Sequence, residues 1–593
     1  MSCLRLALAQ RNATVGDIKG NAAKVLESVA EAKKLQTDIV VFPELFLTGY
    51  PPEDLLLHPA FVNDNIRELK ELAKKIEGII AIIGFVDKGD ISPPLYNAAA
   101  VIAHRRILGV VHKICLPNYG VFDEKRYFAT GDKPAILALG EIPIGINICE
   151  DIWVGDGPVA AQARKGGAKL LINLSASPFH SGKVGLREKI LRAHAKKHKL
   201  YMAYVNLVGG QDELVFDGAS RVMDPQGRIL AMARSCQEDL LVADLAELQR
   251  TTTHPQDGYP GGQRTEKRYK QKNKQIHYIF LPALVSTEKK QKITCTFTAR
   301  PGRLEEIYQA LMLGTHDYVH KNGFEKVIIG ISGGIDSALT AVIAVDALGK
   351  ENVIGVTMPS LFSSEETKSD ATVVAENLGI MFFSIPIHSI FQSYLETLKP
   401  AFEGMKADIT EENLQARIRG NILMAMSNKF RWLVLTTGNK SELSTGYCTL
   451  YGDMSGGFAL LKDVPKTLVY ELSEYRNKKG LSSVIPRTTI ERAPTAELRP
   501  NQTDQDTLPP YFLLDEIVEA YVEKDKSLNE IASRRACPER SRRGEGVREL
   551  VRKVIQMIDT SEYKRRQAAP GIKITPRAFG KDRRFPITNR YRL

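Results

Sequence analysis

The stretch Lys326-Val-Ile-Ile-Gly-Ile-Ser-Gly-Gly-Ile-Asp-Ser-Ala338 constrains this chain more than any other. Val327 to Ile331 is a short β-branched run that predicts a buried strand, and Ala338 to Leu348 has the apolar spacing of a helix. Ser332 to Ser337 is then the turn between them. Gly333 and Gly334 let the backbone approach an anion closely, the first amides of the helix point at it, and Ser332 and Ser337 add hydroxyl donors. Such a turn suits phosphate. It lacks the lysine of a Walker A sequence, so it is not read as a γ-phosphate cradle.

Strand, SGGxDS turn and helix together resemble the pyrophosphate loop of the N-type ATP pyrophosphatases, which split ATP between its α- and β-phosphates. The resemblance implies an ATP site built from Gly330, Ile331, Ser332, Gly333, Gly334, Ile335, Asp336 and Ser337 that grips the departing pyrophosphate. Asp336 would then reach Mg²⁺, for which a hard carboxylate oxygen is a suitable ligand.

At 593 residues the chain is too long for one core, and ordinary domain sizes suggest two to four units. No apolar run is long enough to span a bilayer, and the start has no cationic lead-in or cleavage site, so it reads as a first strand of a cytoplasmic protein. Seven scattered cysteines, never in CxxC spacing, suggest neither a disulfide framework nor a zinc site. The formal net charge of +12 would suit nucleic acid, yet anionic nucleotides exploit the same field and no aromatic-interleaved recognition motif accompanies it.

From Leu4 to about Leu245, short β-branched runs alternate with helical ones, which argues for an α/β layered fold. Helices are expected over 17–35 and 63–76, and strands over 39–42 and 79–85. Three polar residues stand at the ends of apolar runs: Glu44 in Val-Val-Phe-Pro-Glu, Lys113 in Val-Val-His-Lys, and Cys149 in Ile-Gly-Ile-Asn-Ile-Cys. Singly, they read as a solvated carboxylate, a snorkelling lysine and a core thiol. Together, in this order and these surroundings, they resemble the Glu-Lys-Cys triad of the nitrilase superfamily, which implies an α-β-β-α layered domain over 1–246. A thiol is mostly protonated at neutral pH, so Cys149 needs Glu44 as its base, and Lys113 would stabilise the oxyanion of amide attack. Glu124 matches a further glutamate of that family. Tyr119, Ser177 and Lys183 match a pocket for L-glutamine in its members fused to a synthetase.

Residues 247–299 have weak periodicity and read as a linker. From 300 to 593, repeated strand–helix units imply a doubly wound parallel sheet with a nucleotide at the carboxyl ends of its strands. Strands are expected over 353–357 and 381–385, with a helix over 364–378 capped by Ser364. Four further stretches resemble the NAD synthetase family. In Glu412-Asn-Leu-Gln-Ala-Arg, Asn413 and Arg417 are four apart on one helix face. Leu435-Thr-Thr-Gly-Asn-Lys-Ser-Glu442 runs from a strand into a Gly-Asn turn, and Lys462 to Lys466 would close over phosphates. The last match spans two places, Thr495 in Ala-Pro-Thr-Ala-Glu and Lys564 in Tyr-Lys-Arg-Arg.

This resemblance implies that Thr437, Lys466 and Thr495 contact ATP, that Asn413, Arg417, Glu442 and Lys564 contact deamido-NAD⁺, and that Asp336 and Glu442 share the metal in proportions left open. Lys462 and Arg565 read as a solvated face. Leu450 and the pair Gly456-Gly457 depart from short, ammonia-dependent relatives, and the basic piece 533–545 reads as an exposed insertion. The implied enzyme amidates deamido-NAD⁺ with ammonia from L-glutamine, uses ATP as co-substrate with Mg²⁺, and is a homo-oligomer acting on small molecules, not on nucleic acid or membrane. Two rivals stand beside it: a tRNA-modifying enzyme with the same loop, and a synthetase whose first half is an inactive assembly module.

Overall fold

The computed structural model describes residues 3–89, 95–249, 274–281, 290–291, 293, 297–479, 483–500, 502–533 and 544–591. The basic stretch 263–274 and the expected insertion at 533–545 fall almost wholly outside these residues. Two compact units divide the chain: Met1–Gln211 with Val215–Pro301, and Asp212–Leu214 with Gly302–Leu593.

The first unit is built from strands whose two faces are both buried, which is why its apolar runs are nearly continuous. Six strands form one sheet in the order Asp239–Gln249, Cys3–Gln10, Ile39–Val41, Ile80–Lys88, Leu95–Ala103, Arg106–His112. Seven form a second, in the order Ile229–Met232, Arg221–Met223, Tyr201–Asn206, Leu170–Ser175, Ile142–Ile148, Ala135–Leu139, His277–Leu281. Alternate residues meet in one core between the sheets, with Leu6, Leu8, Val41 and Ile82 from the first and Ile146, Ile172 and Leu174 from the second. The residues between them face outward onto helices; Leu171 and Met202 pack with Val159 and Leu191. Helix Pro59–Lys75 covers the other sheet, with Ile18–Lys34 beside it, completing the α-β-β-α layers. Asp17 starts the latter helix by accepting the Gly20 amide at 2.9 Å. His277–Leu281, inside the stretch read as a linker, pairs in parallel with Ala135–Leu139.

In the second unit five parallel strands lie in the order Met381–Ser384, Val353–Thr357, Val327–Gly330, Leu433–Thr436, Phe458–Ala459. Chain order reverses at Val327–Gly330, so the loop that follows this strand lies at the switch point where open α/β sheets bind ligands. The helix after it runs Ile335–Leu348, beginning three residues earlier than its apolar spacing predicts. Gly334 is extended and caps it, and Ser337 Oγ donates to the Gly334 carbonyl at 2.9 Å, which draws Ile335 to Ser337 into the first turn. Ser364 caps helix Glu365–Leu378 as expected, accepting the Thr367 amide at 3.2 Å. Gly456 and Gly457 lie flat against strand Leu433–Thr436, where an added Cβ would come within 2.4 Å of the Thr436 methyl and 2.3 Å of Leu433 Cδ1.

Arg565 corrects the solvated-face reading. It is buried, paired with Glu562 at 2.9 Å, donates to the Ser444 carbonyl at 2.6 Å and lies over the Phe579 ring.

Candidate active sites

In the first unit Glu44, Lys113, Cys149 and Ser177 all follow the carboxyl ends of strands, two from each sheet, and are buried there together. Lys113 Nζ donates to Glu44 Oε1 at 2.6 Å and to Glu124 Oε1 at 2.8 Å. Two further donors hold Glu44: Asn97 Nδ2 at 2.7 Å on Oε1 and the Ala176 amide at 2.9 Å on Oε2. Tyr50 donates its hydroxyl to Glu124 Oε1 at 3.0 Å. Burial pushes the Glu124 carboxyl up to about 7, against the pull of Lys113 and with the help of Glu44. Burial alone would discharge Lys113, but Glu124 and Glu44 outweigh it and raise its pKa.

Cys149 opens a short 3₁₀ turn after strand Ile142–Ile148 with φ +40°, a conformation that costs a non-glycine residue about 1–3 kcal/mol. Burial, then Glu44, raises its pKa while Lys113 lowers it, leaving the thiol protonated at rest. A buried thiol beside a carboxylate and an ammonium can lose its proton to the one and place developing negative charge near the other.

The three positions matched to a glutamine pocket differ in setting. Ser177 is buried and its amide donates to Asn206 Oδ1 at 2.8 Å. Tyr119 is exposed and donates to both oxygens of Glu150, at 3.0 and 3.1 Å. Lys183 begins helix Lys183–His198 with its ammonium 4.6 Å from the centre of the Trp153 ring. Glu150, next to Cys149 and within electrostatic reach of Lys113 and Lys183, links Tyr119 and Lys183 to the buried cluster.

In the second unit one cavity of about 320 Å³ is lined by Gly330 to Ser337 together with Thr437, Glu442, Lys466 and Thr495, so every residue matched to ATP meets there. At Gly333 φ is +86°, and a Cβ would stand 2.2 Å from the Thr367 carbonyl oxygen; only glycine fits. Lys466 pairs with Asp336 and, at 3.2 Å, with Glu442, while Asn439 Nδ2 donates to Asp336 Oδ1 at 2.8 Å. Burial pushes Glu442 up to about 8, with Lys466 opposing and Asp336 adding to the rise. Two partly buried hard oxygen donors that converge on a cation beside the 332–337 turn fit Mg²⁺, which takes one or two carboxylates and completes its shell with phosphate and water. The described residues hold no cluster of three or more His, Cys, Asp or Glu that could hold a metal ion.

The NAD synthase family model matches residues 307–568, and the carbon-nitrogen hydrolase model matches residues 5–253. The glutamine-dependent NAD(+) synthetase of Thermotoga maritima is 49% identical over 597 residues, covering 100% of both chains. That of Aquifex aeolicus is 47% identical, covering 99% of this chain and 100% of its own. The chain belongs to the glutamine-dependent NAD(+) synthetases. Among solved members of this family, the Acinetobacter baumannii enzyme in complex with adenosine diphosphate is 41% identical, with a TM-score of 0.72 over 99% of this chain and 98% of that one. A Cytophaga hutchinsonii member shares the fold at 21% identity, with a TM-score of 0.80 over 99% and 98% of the two chains.

Against this family, the positions matched to deamido-NAD⁺ divide. Glu442 lines the cavity, whereas Asn413, Arg417 and Lys564 do not and instead converge on one segment. Asn413 Oδ1 accepts the Thr449 hydroxyl at 2.7 Å, Arg417 Nε donates to the Leu450 carbonyl at 3.2 Å, and Lys564 Nζ donates to the carbonyls of Gly446 and Cys448 at 2.7 and 2.8 Å. The sequence reading missed Asn97, Tyr50, Asn439 and Arg419. Asn439 sits in the Gly-Asn turn already singled out; Asn97 interrupts an apolar strand. Arg419 lines the cavity with Nε on the Met358 carbonyl at 3.0 Å, and its burial lowers it to about 10.

Proposed function

We propose that this chain amidates deamido-NAD⁺ to NAD⁺ with ammonia from L-glutamine, yielding glutamate, AMP and pyrophosphate. One observation carries the reading: a Glu44–Lys113–Cys149 cluster and a phosphate loop faced by Asp336, Lys466 and Glu442 occur in one chain, each at its own strand ends.

At the first site the Cys149 sulfur attacks the side-chain carbonyl of glutamine as its proton passes to Glu44. Lys113 stabilises the oxyanion, and Glu44 returns the proton to the departing ammonia. Water, deprotonated by Glu44, then cleaves the thioester and releases glutamate. Tyr119, Ser177 and Lys183 hold the α-amino and α-carboxylate ends of the substrate, and Glu124 fixes Lys113.

At the second site the nicotinate carboxylate of deamido-NAD⁺ attacks the α-phosphorus of ATP, and pyrophosphate leaves into the loop 330–337 with Thr437, Lys466 and Thr495 around the nucleotide. Ammonia attacks the acyl-adenylate carbon, and AMP departs. Asn413, Arg417 and Lys564 hold deamido-NAD⁺. Asp336 and Glu442 would hold Mg²⁺, which neutralises phosphate charge when bound. Ammonia transferred without release stays unprotonated and so nucleophilic.

A homo-oligomer is part of the proposal. Helix His388–Leu398 buries none of its residues and exposes Ile390 and Tyr394, and Met381 and Phe383 are exposed on the edge strand Met381–Ser384 that precedes it. No helix among the described residues is long and apolar enough to cross a membrane; a cytoplasmic location is a separate part of the proposal. Glutamine labelled with ¹⁵N at its amide tests the whole scheme: the label enters the NAD⁺ carboxamide if the reading holds, and unlabelled NAD⁺ or none refutes it.

A further inference from the structure

Asp151, two residues beyond Cys149, is buried to 1% exposure. Its Oδ2 accepts the Ile148 amide at 3.0 Å, and its Oδ1 accepts the amides of Ile114 at 3.2 Å and Cys115 at 2.8 Å. One carboxylate therefore spans the segment that carries the nucleophile and the segment that carries the ammonium, since Ile148 precedes Cys149 and Ile114 follows Lys113. Behind Cys149, Asn173 Nδ2 donates to the Cys149 carbonyl at 3.4 Å and to Asn147 Oδ1 at 2.6 Å, closing the turn from the strand side.

Burying a carboxylate is unfavourable unless its oxygens are used, and an apolar side chain would fill this junction at less cost. Three donors to Asp151 are backbone amides of the two catalytic segments, and the Cys115 thiol, on the segment that carries Lys113, hydrogen-bonds to the same carboxyl group. The strained φ at Cys149 needs surroundings that over-determine it, and Asp151 supplies them from within the same turn. We infer that Asp151 is a positioning residue that sets the separation and direction of the Cys149 thiol relative to the Lys113 ammonium. The inference rests on the reading of Cys149 as the glutaminase nucleophile.

The test uses the full chain with Asp151→Asn, which keeps the shape but turns a donor NH₂ toward amides that need an acceptor. Three quantities are measured: kcat and KM for glutamine hydrolysis, the pH profile of Cys149 alkylation by iodoacetamide followed on the Cys149 peptide, and ammonium-supported NAD⁺ synthesis. The expected result is a fall of about 100-fold in kcat, the penalty of a misplaced catalytic group. KM should change little, the alkylation profile should move to higher pH as the ammonium leaves the sulfur, and ammonium-supported synthesis should persist.

Unchanged kcat with an unchanged alkylation profile overturns the inference. So does a loss of kcat matched by an equal loss of ammonium-supported synthesis, which marks a general structural role. If Asp151→Asn does not fold, Asp151→Glu, which keeps the charge on a longer arm, is judged by the same outcomes. Cys149→Ala distinguishes the two claims: glutamine hydrolysis that survives in it refutes the reading of the nucleophile, whatever Asp151 does.

Discussion

The Lys113 ammonium lies 2.6 Å from Glu44 Oε1, and neither side chain has any exposed surface. Such a pair is sustained by its close geometry and by the further hydrogen bonds that Glu44 and Lys113 make, and removing one member strands the other. Lys113→Met leaves the Glu44 and Glu124 carboxylates facing each other without their cation. We predict a loss of about 3–5 kcal/mol in the stability of the first unit, together with abolished glutamine hydrolysis. Calorimetry and glutamate release measure the two.

Glu124 gives a pH dependence of definite sign. Its folded pKa of about 7 lies above its ordinary 4.5, so the folded state holds this proton more tightly than the unfolded chain does. The stability it contributes is full below 4.5 and is lost as pH rises through about 7. Glu124→Gln stays neutral throughout. The melting temperature of this variant minus that of wild type should therefore be more positive at pH 8 than at pH 5, corresponding to about 2–3 kcal/mol.

Gly333→Ala places a methyl 2.2 Å from the Thr367 carbonyl at a φ that L residues avoid. The loop must move, and kcat/KM for ATP should fall at least about 100-fold with glutamine and with ammonium alike. Initial rates of pyrophosphate release read this directly.

Lys466→Met removes the cation between Asp336 and Glu442. NAD⁺ formation should fall about 100- to 1000-fold with either nitrogen source, while raised Mg²⁺ recovers part of it by replacing the lost charge. Titration of rate against Mg²⁺ checks both halves.

Much of this was legible before any coordinates. The helices expected over 17–35 and 364–378 form as Ile18–Lys34 and Glu365–Leu378, with Ser364 capping the second as expected, and the SGGIDS turn lies between a strand and a helix as its glycines and flanking apolar runs predict. What stayed hidden depends on residues far apart in sequence. Asn97 and Glu44 are 53 positions apart and Asn439 and Asp336 are 103 apart, so no local pattern pairs them. Arg565 misled for the same reason, because the aromatic ring and carbonyls that bury it come from other segments. The start of the helix at Ile335 was masked by Ser337, whose hydroxyl bonds back to Gly334 instead of marking a cap.

The most direct test of the account is NAD⁺ formation from deamido-NAD⁺ and Mg-ATP by wild type and Cys149→Ala, each supplied with glutamine or with ammonium. The account predicts that wild type uses both sources and that the variant uses ammonium alone. Glutamine use by Cys149→Ala at the wild-type rate, or no NAD⁺ from wild type with either source, would contradict it.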